Sequence, residues 1–62
     1  MLAYELIHRN GNVIDIYRLV LPDGSYKEYT DFTMIEDKFA LADVRRFQIG
    51  KTANDIIMEI IL

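Results

Sequence analysis

The sequence predicts a single-domain α+β fold over residues 1–62: an antiparallel β-meander, then one helix, then a C-terminal strand, with two copies dimerising through the sheet. Three observations predict it: turn motifs between apolar runs, a stretch of helix formers without glycine or proline, and a final segment that is apolar on both faces. A chain this short buries only about 60% of its surface on folding, and it has no cysteine for a disulfide. A second copy is therefore the expected supplement to a small core.

The meander is predicted from three extended segments separated by two turns. Residues 2–9 alternate loosely and are interpreted as a first strand, which ends at Asn10-Gly11, a dipeptide typical of type I′ hairpin turns. Residues 13–21 are rich in β-branched side chains and long enough for a central strand. Pro22-Asp23-Gly24 has the composition of a second turn, and residues 25–32 alternate again as the returning strand.

A helix is predicted over residues 33–47. Thr33 and Glu36 have the spacing of a capping box, in which the two side chains satisfy free backbone N–H groups of the first turn. The apolar positions spread over a wide surface, which indicates contact both with the sheet and with a second body. Gly50 is expected to follow the helix as its C-terminal cap.

The final strand is predicted over residues 55–62, which are apolar on both faces except at Glu59. An antiparallel strand with one face in water should alternate between apolar and polar residues, so this strand should be covered on both sides. A second subunit is the expected cover, because an uncovered strand of this kind is an aggregation hazard.

Negative charge is concentrated in the middle of the chain. Residues 23–43 hold two basic residues against six acidic ones, a local balance of −4, whereas the whole chain has a net charge of −3. The six acids are Asp23, Glu28, Asp31, Glu36, Asp37 and Asp43. Such a stretch disfavours direct nucleic-acid binding, since phosphate contacts need clustered lysine and arginine, and it suits a basic protein surface. A merely solvated acidic face is the alternative.

No arrangement of reactive residues indicates an enzyme, a cofactor or a metal site. Gly50-Lys51-Thr52 resembles the end of a phosphate-binding loop, but Arg45 stands where that motif needs its first glycine. Ser25 is the only serine and no base is arranged for it in the sequence. His8 is the only histidine and has no cysteine with which to share zinc. We therefore expect a protein that acts by binding another protein.

The expected location is the cytoplasm. The first residues lack the basic and apolar regions of an export signal, and no segment has the length and apolarity of a membrane span. We therefore expect no membrane as partner. The acidic residues 23–43 likewise lead us to expect no nucleic acid as partner.

Three short stretches carry a resemblance to a known family. The first is the apolar strand that leads into the Asp-Gly turn, residues 16–24. The second is the aromatic and acidic run Tyr26-Lys27-Glu28-Tyr29. The third is the opening of the last strand, Gly50-Lys51-Thr52-Ala53-Asn54-Asp55-Ile56-Ile57. In this order the stretches resemble the small homodimeric phage-encoded inhibitors of uracil-DNA glycosylase.

The resemblance implies a dimer that pairs strands across its two subunits and mimics the phosphate backbone of DNA with acidic side chains. It also implies an apolar pocket at the dimer, formed by a helix phenylalanine, which captures the apolar side chain that the glycosylase inserts into the DNA minor groove. The segment between Glu28 and Gly50 is longer here than in the family, so Phe39 and Phe47 are both candidates. Phe39 is favoured because it follows the acidic start of the predicted helix.

The predicted function is inhibition of host uracil-DNA glycosylase by occupation of its DNA-binding cleft. The residues predicted to contact the partner are Glu28, Tyr29, Asp31, Glu36, Asp37, Phe39, Asp43 and Phe47. Two alternatives remain open: an antagonist of another host nucleic-acid-binding protein, such as an anti-CRISPR protein, and a plain dimerisation or regulatory module.

Overall fold

The fold is that of a computed structural model, which describes residues 1–10 and 13–62. In chain order the elements are helix α1 (Ala3–Asn10), strand β1 (Ile16–Val20), strand β2 (Tyr26–Tyr29), a 3-10 helix (Phe32–Met34), helix α2 (Asp37–Ala40), strand β3 (Arg46–Lys51) and strand β4 (Ile56–Ile61). The predicted α+β class is confirmed, with one main helix and a four-stranded sheet.

The sheet is mixed, with the strand order β2-β1-β4-β3. Strands β1 and β2 are antiparallel, and so are β3 and β4, but the central pair β1 and β4 is parallel. Of the predicted meander only the antiparallel hairpin β1–β2 forms, and the C-terminal strand joins that hairpin in parallel. The last strand, predicted over residues 55–62, does form, and it lies in the interior of the sheet with a strand on each side.

The central parallel pair is fastened at both ends. Asp15 N donates to Ile56 O at 2.8 Å, and Asp15 Oδ2 accepts from Ile56 N at 2.7 Å. At the other end Leu62 N donates to Val20 O at 3.0 Å. A carboxylate at the start of β1 thus fixes the register of two strands that are far apart in the sequence.

Helix α1 replaces the first strand that was expected over residues 2–9, so that prediction is wrong. Ala3, Leu6 and Ile7 recur at the spacing of one helix face, and all three are buried. Leu2 N donates to Glu5 Oε1 at 3.0 Å, which satisfies a backbone donor at the start of the helix. The hairpin turn expected at Asn10-Gly11 falls partly on Gly11, which lies outside the described residues.

The hairpin turn between β1 and β2 is confirmed. Gly24 N donates to Leu21 O at 2.9 Å, and Leu21 N donates to Ser25 O at 2.8 Å. Gly24 has φ of +91°, a backbone conformation that side-chain-bearing residues rarely adopt. Both strands are shorter than the segments 13–21 and 25–32 predicted for them.

The prediction of one helix over residues 33–47 is wrong, because two short helices and the start of β3 occupy this stretch. Asp31 rather than Thr33 caps the 3-10 helix, Glu36 makes no capping hydrogen bond with its side chain, and α2 has a single turn. Residues 46–51 form β3, so Gly50 is a strand residue and not a helix cap. Hydrogen bonding to β4 outweighs helix propensity here, since propensity is a weak prior that tertiary contacts override.

The core lies on one face of the sheet, under α1. Tyr17, Leu19, Met58 and Ile60 are at most 1% exposed and pack with the buried face of the helix. The intervening residues of the same strands point to the other side, which we call the open face. Its apolar residues Ile16, Val20, Ile57 and Ile61 are only half-buried and stand outside the core cluster.

Candidate partner-binding site

All six acidic residues of the segment 23–43 are exposed. They are spread over the β1–β2 turn, strand β2, and the short helices and loop that follow. We call this stretch the acidic segment. The acidic segment thus displays its negative charge on connections and on an edge strand.

Two of its carboxylates are fixed by neighbouring hydroxyl groups. Asp23 Oδ1 accepts from Ser25 N at 2.9 Å and from Ser25 Oγ at 2.6 Å. Asp31 Oδ1 accepts from Thr33 N at 2.9 Å and from Thr33 Oγ1 at 2.7 Å. The hydroxyl hydrogen bond, followed by the backbone one, lowers the pKa of each carboxyl below its usual value. Both groups are therefore anions held in one orientation.

Glu28 belongs to a polar row that crosses the open face. Arg18 Nη2 lies 2.6 Å from Glu28 Oε2, and Arg18 Nη1 lies 3.7 Å from Glu59 Oε2. Gln48 Nε2 donates to Glu59 Oε1 at 2.9 Å. The pKa of Arg18 is raised, chiefly by its hydrogen bond to Glu28. Glu28 therefore offers a partner a charge that Arg18 already compensates.

Tyr29 lies on the side of β2 opposite to Glu28, since successive strand residues point to opposite faces. Its register partner is the buried Tyr17, and its ring packs against the core. Burial is the main cause that raises the pKa of Tyr29, and the negative charge of Glu36 adds to it. Glu28 and Tyr29 are adjacent in sequence but do not share one surface.

Phe39 is enclosed by cations. Lys27 Nζ and Lys38 Nζ lie 5.3 and 5.1 Å from the centroid of its ring, and the ring also packs against the core. Glu36 Oε2 is 3.6 Å from Lys38 Nζ. Both lysines of the acidic segment are thus gathered around Phe39, where each contact is a cation–π interaction.

Phe47 is on the edge strand β3 and is 47% exposed. Its register partner is the buried Ile60, so its ring stands on the helix side of the sheet. Phe39 and Phe47 are in different settings, one half-buried between lysines and one presented to solvent.

Asp43 is held against the start of the chain. Its backbone forms an isolated bridge with Leu2, flanked by hydrogen bonds of 2.9 Å from Ala3 N to Ala42 O and from Val44 N to Met1 O. The carboxylate of Asp43 is left exposed by this arrangement.

Asp37 lines an open groove between α1 and the two short helices, with a volume of about 490 Å³. Its lining residues are Tyr4, Ile7, His8, Phe32, Thr33, Ile35, Asp37, Ala40 and Leu41. The rings of Tyr4 and His8 meet edge to face at 6.1 Å, and those of His8 and Phe32 at 5.4 Å. The structure thus brings an acid of the predicted site next to aromatic residues that sequence reasoning left out.

The groove was missed because half of it depends on α1. Tyr4 and His8 are one helical turn apart, and that relation is lost when residues 2–9 are interpreted as a strand. The spacing of Ala3, Leu6 and Ile7 was the available signal.

Among the described residues, no group of three or more histidine, cysteine, aspartate or glutamate residues is placed to hold a metal ion. No helix in this part of the chain is long and apolar enough to span a bilayer. Comparison with known proteins gives no match, whether with a family model, a curated protein or a solved structure.

Proposed function

We propose that the protein inhibits a DNA-binding enzyme by presenting its acidic segment to the enzyme's basic cleft, and that bacterial uracil-DNA glycosylase is the target. The observation that carries the proposal is the exposure of all six acids within residues 23–43. Two of them, Asp23 and Asp31, are also held as oriented anions by neighbouring hydroxyl groups. Fixed, exposed carboxylates are what a surface needs to stand in for DNA phosphates.

The charge available to such a partner comes mainly from four residues. Within residues 1–10 and 13–62, ion pairs engage only Glu28 and Glu36 of the six acids. The remaining carboxylates, those of Asp23, Asp31, Asp37 and Asp43, carry the uncompensated charge. Their field would accelerate association with a basic cleft, and added salt would slow that association by screening.

The apolar part of the proposed contact is best served by Phe47. Its ring is 47% exposed, whereas Phe39 is flanked by Lys27 and Lys38. An exposed aromatic ring can act as an anchor that desolvates on binding and slows dissociation. This reverses the preference for Phe39 that the sequence suggested.

The dimer expected from the sequence remains part of the proposal, but strand β4 cannot join two copies by backbone pairing. Both of its edges are taken, by β1 and by β3. The half-buried residues Ile16, Val20, Ile57 and Ile61 of the open face are the apolar surface that a second copy would cover. Sedimentation velocity over a range of concentrations measures whether it does. The proposed site of action is the cytoplasm of a bacterial host.

A uracil-excision assay with a bacterial glycosylase, titrated with the purified protein, tests the proposal. We expect inhibition that weakens as salt is added. Asp37→Asn and Asp43→Asn should each weaken inhibition by about threefold, the usual contribution of an exposed ion pair. The matched control is Asp55→Asn, which removes the same charge outside the acidic segment and should leave inhibition unchanged.

Failure to slow excision at any concentration of folded protein would exclude the glycosylase as target. Capture of binding proteins from a bacterial lysate would then separate the two alternatives. Another nucleic-acid-binding protein in the captured fraction favours a different antagonist, and an empty fraction favours a plain dimerisation or regulatory module.

A further inference from the structure

The two edges of the sheet differ in how open they are to a further strand. The outer strand β2 has four residues, and its centre carries the charged pair Lys27-Glu28. The outer strand β3 has six residues, all of them exposed, and its centre is Phe47-Gln48-Ile49. Short, charged edges resist strand addition, whereas long edges with apolar centres accept it. We call the free side of β3 the β3 edge.

The backbone groups that the β3 edge presents follow from its pairing with β4. Thr52 N donates to Asp55 O at 2.8 Å, so this opposed pair is hydrogen-bonded. In an antiparallel ladder every second opposed pair exchanges hydrogen bonds. Gln48 and Gly50 therefore direct their N–H and C=O groups to β4, and Phe47, Ile49 and Lys51 direct theirs away from the sheet.

The same outward-directed residues carry exposed apolar side chains. Phe47 is 47% exposed and Ile49 is 49% exposed. Their register partners Ile60 and Met58 are buried under α1, so both side chains stand on the helix side of the sheet. A strand added at the β3 edge would extend the helix side of the sheet and cover the parts of these two side chains that now face solvent.

The β3 edge is also the basic part of an acidic protein. Residues 44–54 contain Arg45, Arg46 and Lys51 and no acid, a local charge of +3, although the whole chain has −3. These cations flank the apolar centre of the strand. They favour a segment with acidic residues at both ends, because opposite charges across paired strands stabilise the pairing.

We propose that the β3 edge binds an extended segment of a partner protein, with apolar residues in the middle and acidic residues at both ends, by adding it as a fifth strand antiparallel to β3. The backbone of Phe47, Ile49 and Lys51 supplies the hydrogen bonds, and the flanking cations supply the specificity. This site lies outside the acidic segment. It shares Phe47 with the proposed glycosylase contact, but its peptide test involves no glycosylase, so the two proposals can fail separately. A second copy is a poorer occupant, because two edges of charge +3 would meet.

The probe is the peptide Ac-Glu-Thr-Val-Thr-Val-Thr-Glu-NH2, whose terminal glutamates are spaced to face Arg45 and Lys51 across an antiparallel pair. It is titrated into the full, isotope-labelled chain and followed by amide hydrogen exchange in NMR spectra. We expect exchange to slow at Phe47, Ile49 and Lys51 and to stay unchanged at Gln48 and Gly50. A peptide with lysine at both ends should bind at least about tenfold more weakly, because like charges then face each other.

Ile49→Pro tests the backbone geometry. The outward N–H of Ile49 is not used by β4, and proline is tolerated where an edge N–H faces solvent, so the sheet should persist while peptide binding is lost. The exposed substitution Lys51→Gln tests the charge without touching the backbone and should weaken binding by about threefold. Gln48→Pro is the matched control, since it removes a hydrogen bond to β4 and should unfold the chain.

Three results would overturn the proposal. One is peptide-induced shifts that fall in the groove at Tyr4 and Phe32 instead of on β3. Another is equal binding of the acidic and the basic peptide. The third is protection of the outward amides that grows with protein concentration in the absence of peptide, which would assign the β3 edge to a second copy of the chain.

Discussion

The two faces of the sheet are built from alternating residues of the same strands, yet they differ in how deeply their side chains are buried. On the helix side Tyr17, Leu19, Met58 and Ile60 are almost fully buried. On the open face isoleucine and valine side chains are half-buried, and a polar row centred on Arg18 runs between them. The helix side therefore forms the core, and the open face leaves apolar surface available for contacts outside the chain.

The sharpest test of this difference uses two adjacent isoleucines of β4. Ile60 is 0% exposed and Ile61 is half-buried. We expect Ile60→Ala to reduce the free energy of unfolding by about 3–4 kcal/mol, because it removes buried methyl groups and leaves a cavity. Ile61→Ala should cost about 1 kcal/mol, in proportion to the smaller apolar area that it exposes. Urea unfolding measures both.

The first loss is a large share of the total, since a domain of this length has about 3–9 kcal/mol of stability. Equal losses at the two positions would contradict the difference in burial between the two faces. They would mean that the open face is covered in solution, most simply by a second copy, and the measurement would then depend on protein concentration.

The second test exploits Tyr17, an ionisable residue of the buried face. Burial raises the pKa of its phenol, so the neutral form is favoured in the folded state. The contribution of the neutral phenol to the free energy of unfolding is fully present below the ordinary phenol pKa of 10.0. It is lost as pH rises through the raised pKa of the folded state. We expect the free energy of unfolding to fall as pH rises above 10.0, and to fall less steeply in Tyr17→Phe.

The smallest effect is expected on the polar row. Arg18→Met keeps the aliphatic stem and removes the charge that lies between Glu28 and Glu59. The side chains of Arg18 and Glu28 are 34% and 41% exposed, so solvent screens the pair and the urea midpoint should shift little. A double-mutant cycle with Glu28→Gln isolates the pair. A loss as large as that of Ile60→Ala would again indicate a covered open face.

What the sequence predicted well was local chemistry. The Pro22-Asp23-Gly24 turn needs a residue with positive φ, and glycine supplies it where expected. The final strand was visible because its β-branched run is apolar at nearly every position, as suits a strand with neighbours on both sides. The α+β class followed from these elements together.

The elements that the sequence predicted badly are those whose structure depends on contacts with residues far away in the chain. Residues 46 and 47 end the stretch of helix formers that predicted a helix, and residues 46–51 become a strand because β4 is available to pair with them. The alternation of Phe47 and Ile49 with polar neighbours was a period-two signal that the helical interpretation overlooked. The same holds for α1, whose apolar residues Ala3, Leu6 and Ile7 have a helical spacing that the interpretation as a strand overlooked. The groove at Asp37 was missed along with that helix.

The parallel pairing of β1 with β4 has a consequence for synthesis on the ribosome. Strand β1 cannot pair with β4 until residues 56–61 have emerged from the ribosome, because β4 is synthesised after the other three strands. Until then the nascent chain holds a hairpin and a helix with no shared interior. We therefore expect it to remain protease-sensitive during translation and to fold in a single late step, at the slower pace set by contacts between distant parts of a chain.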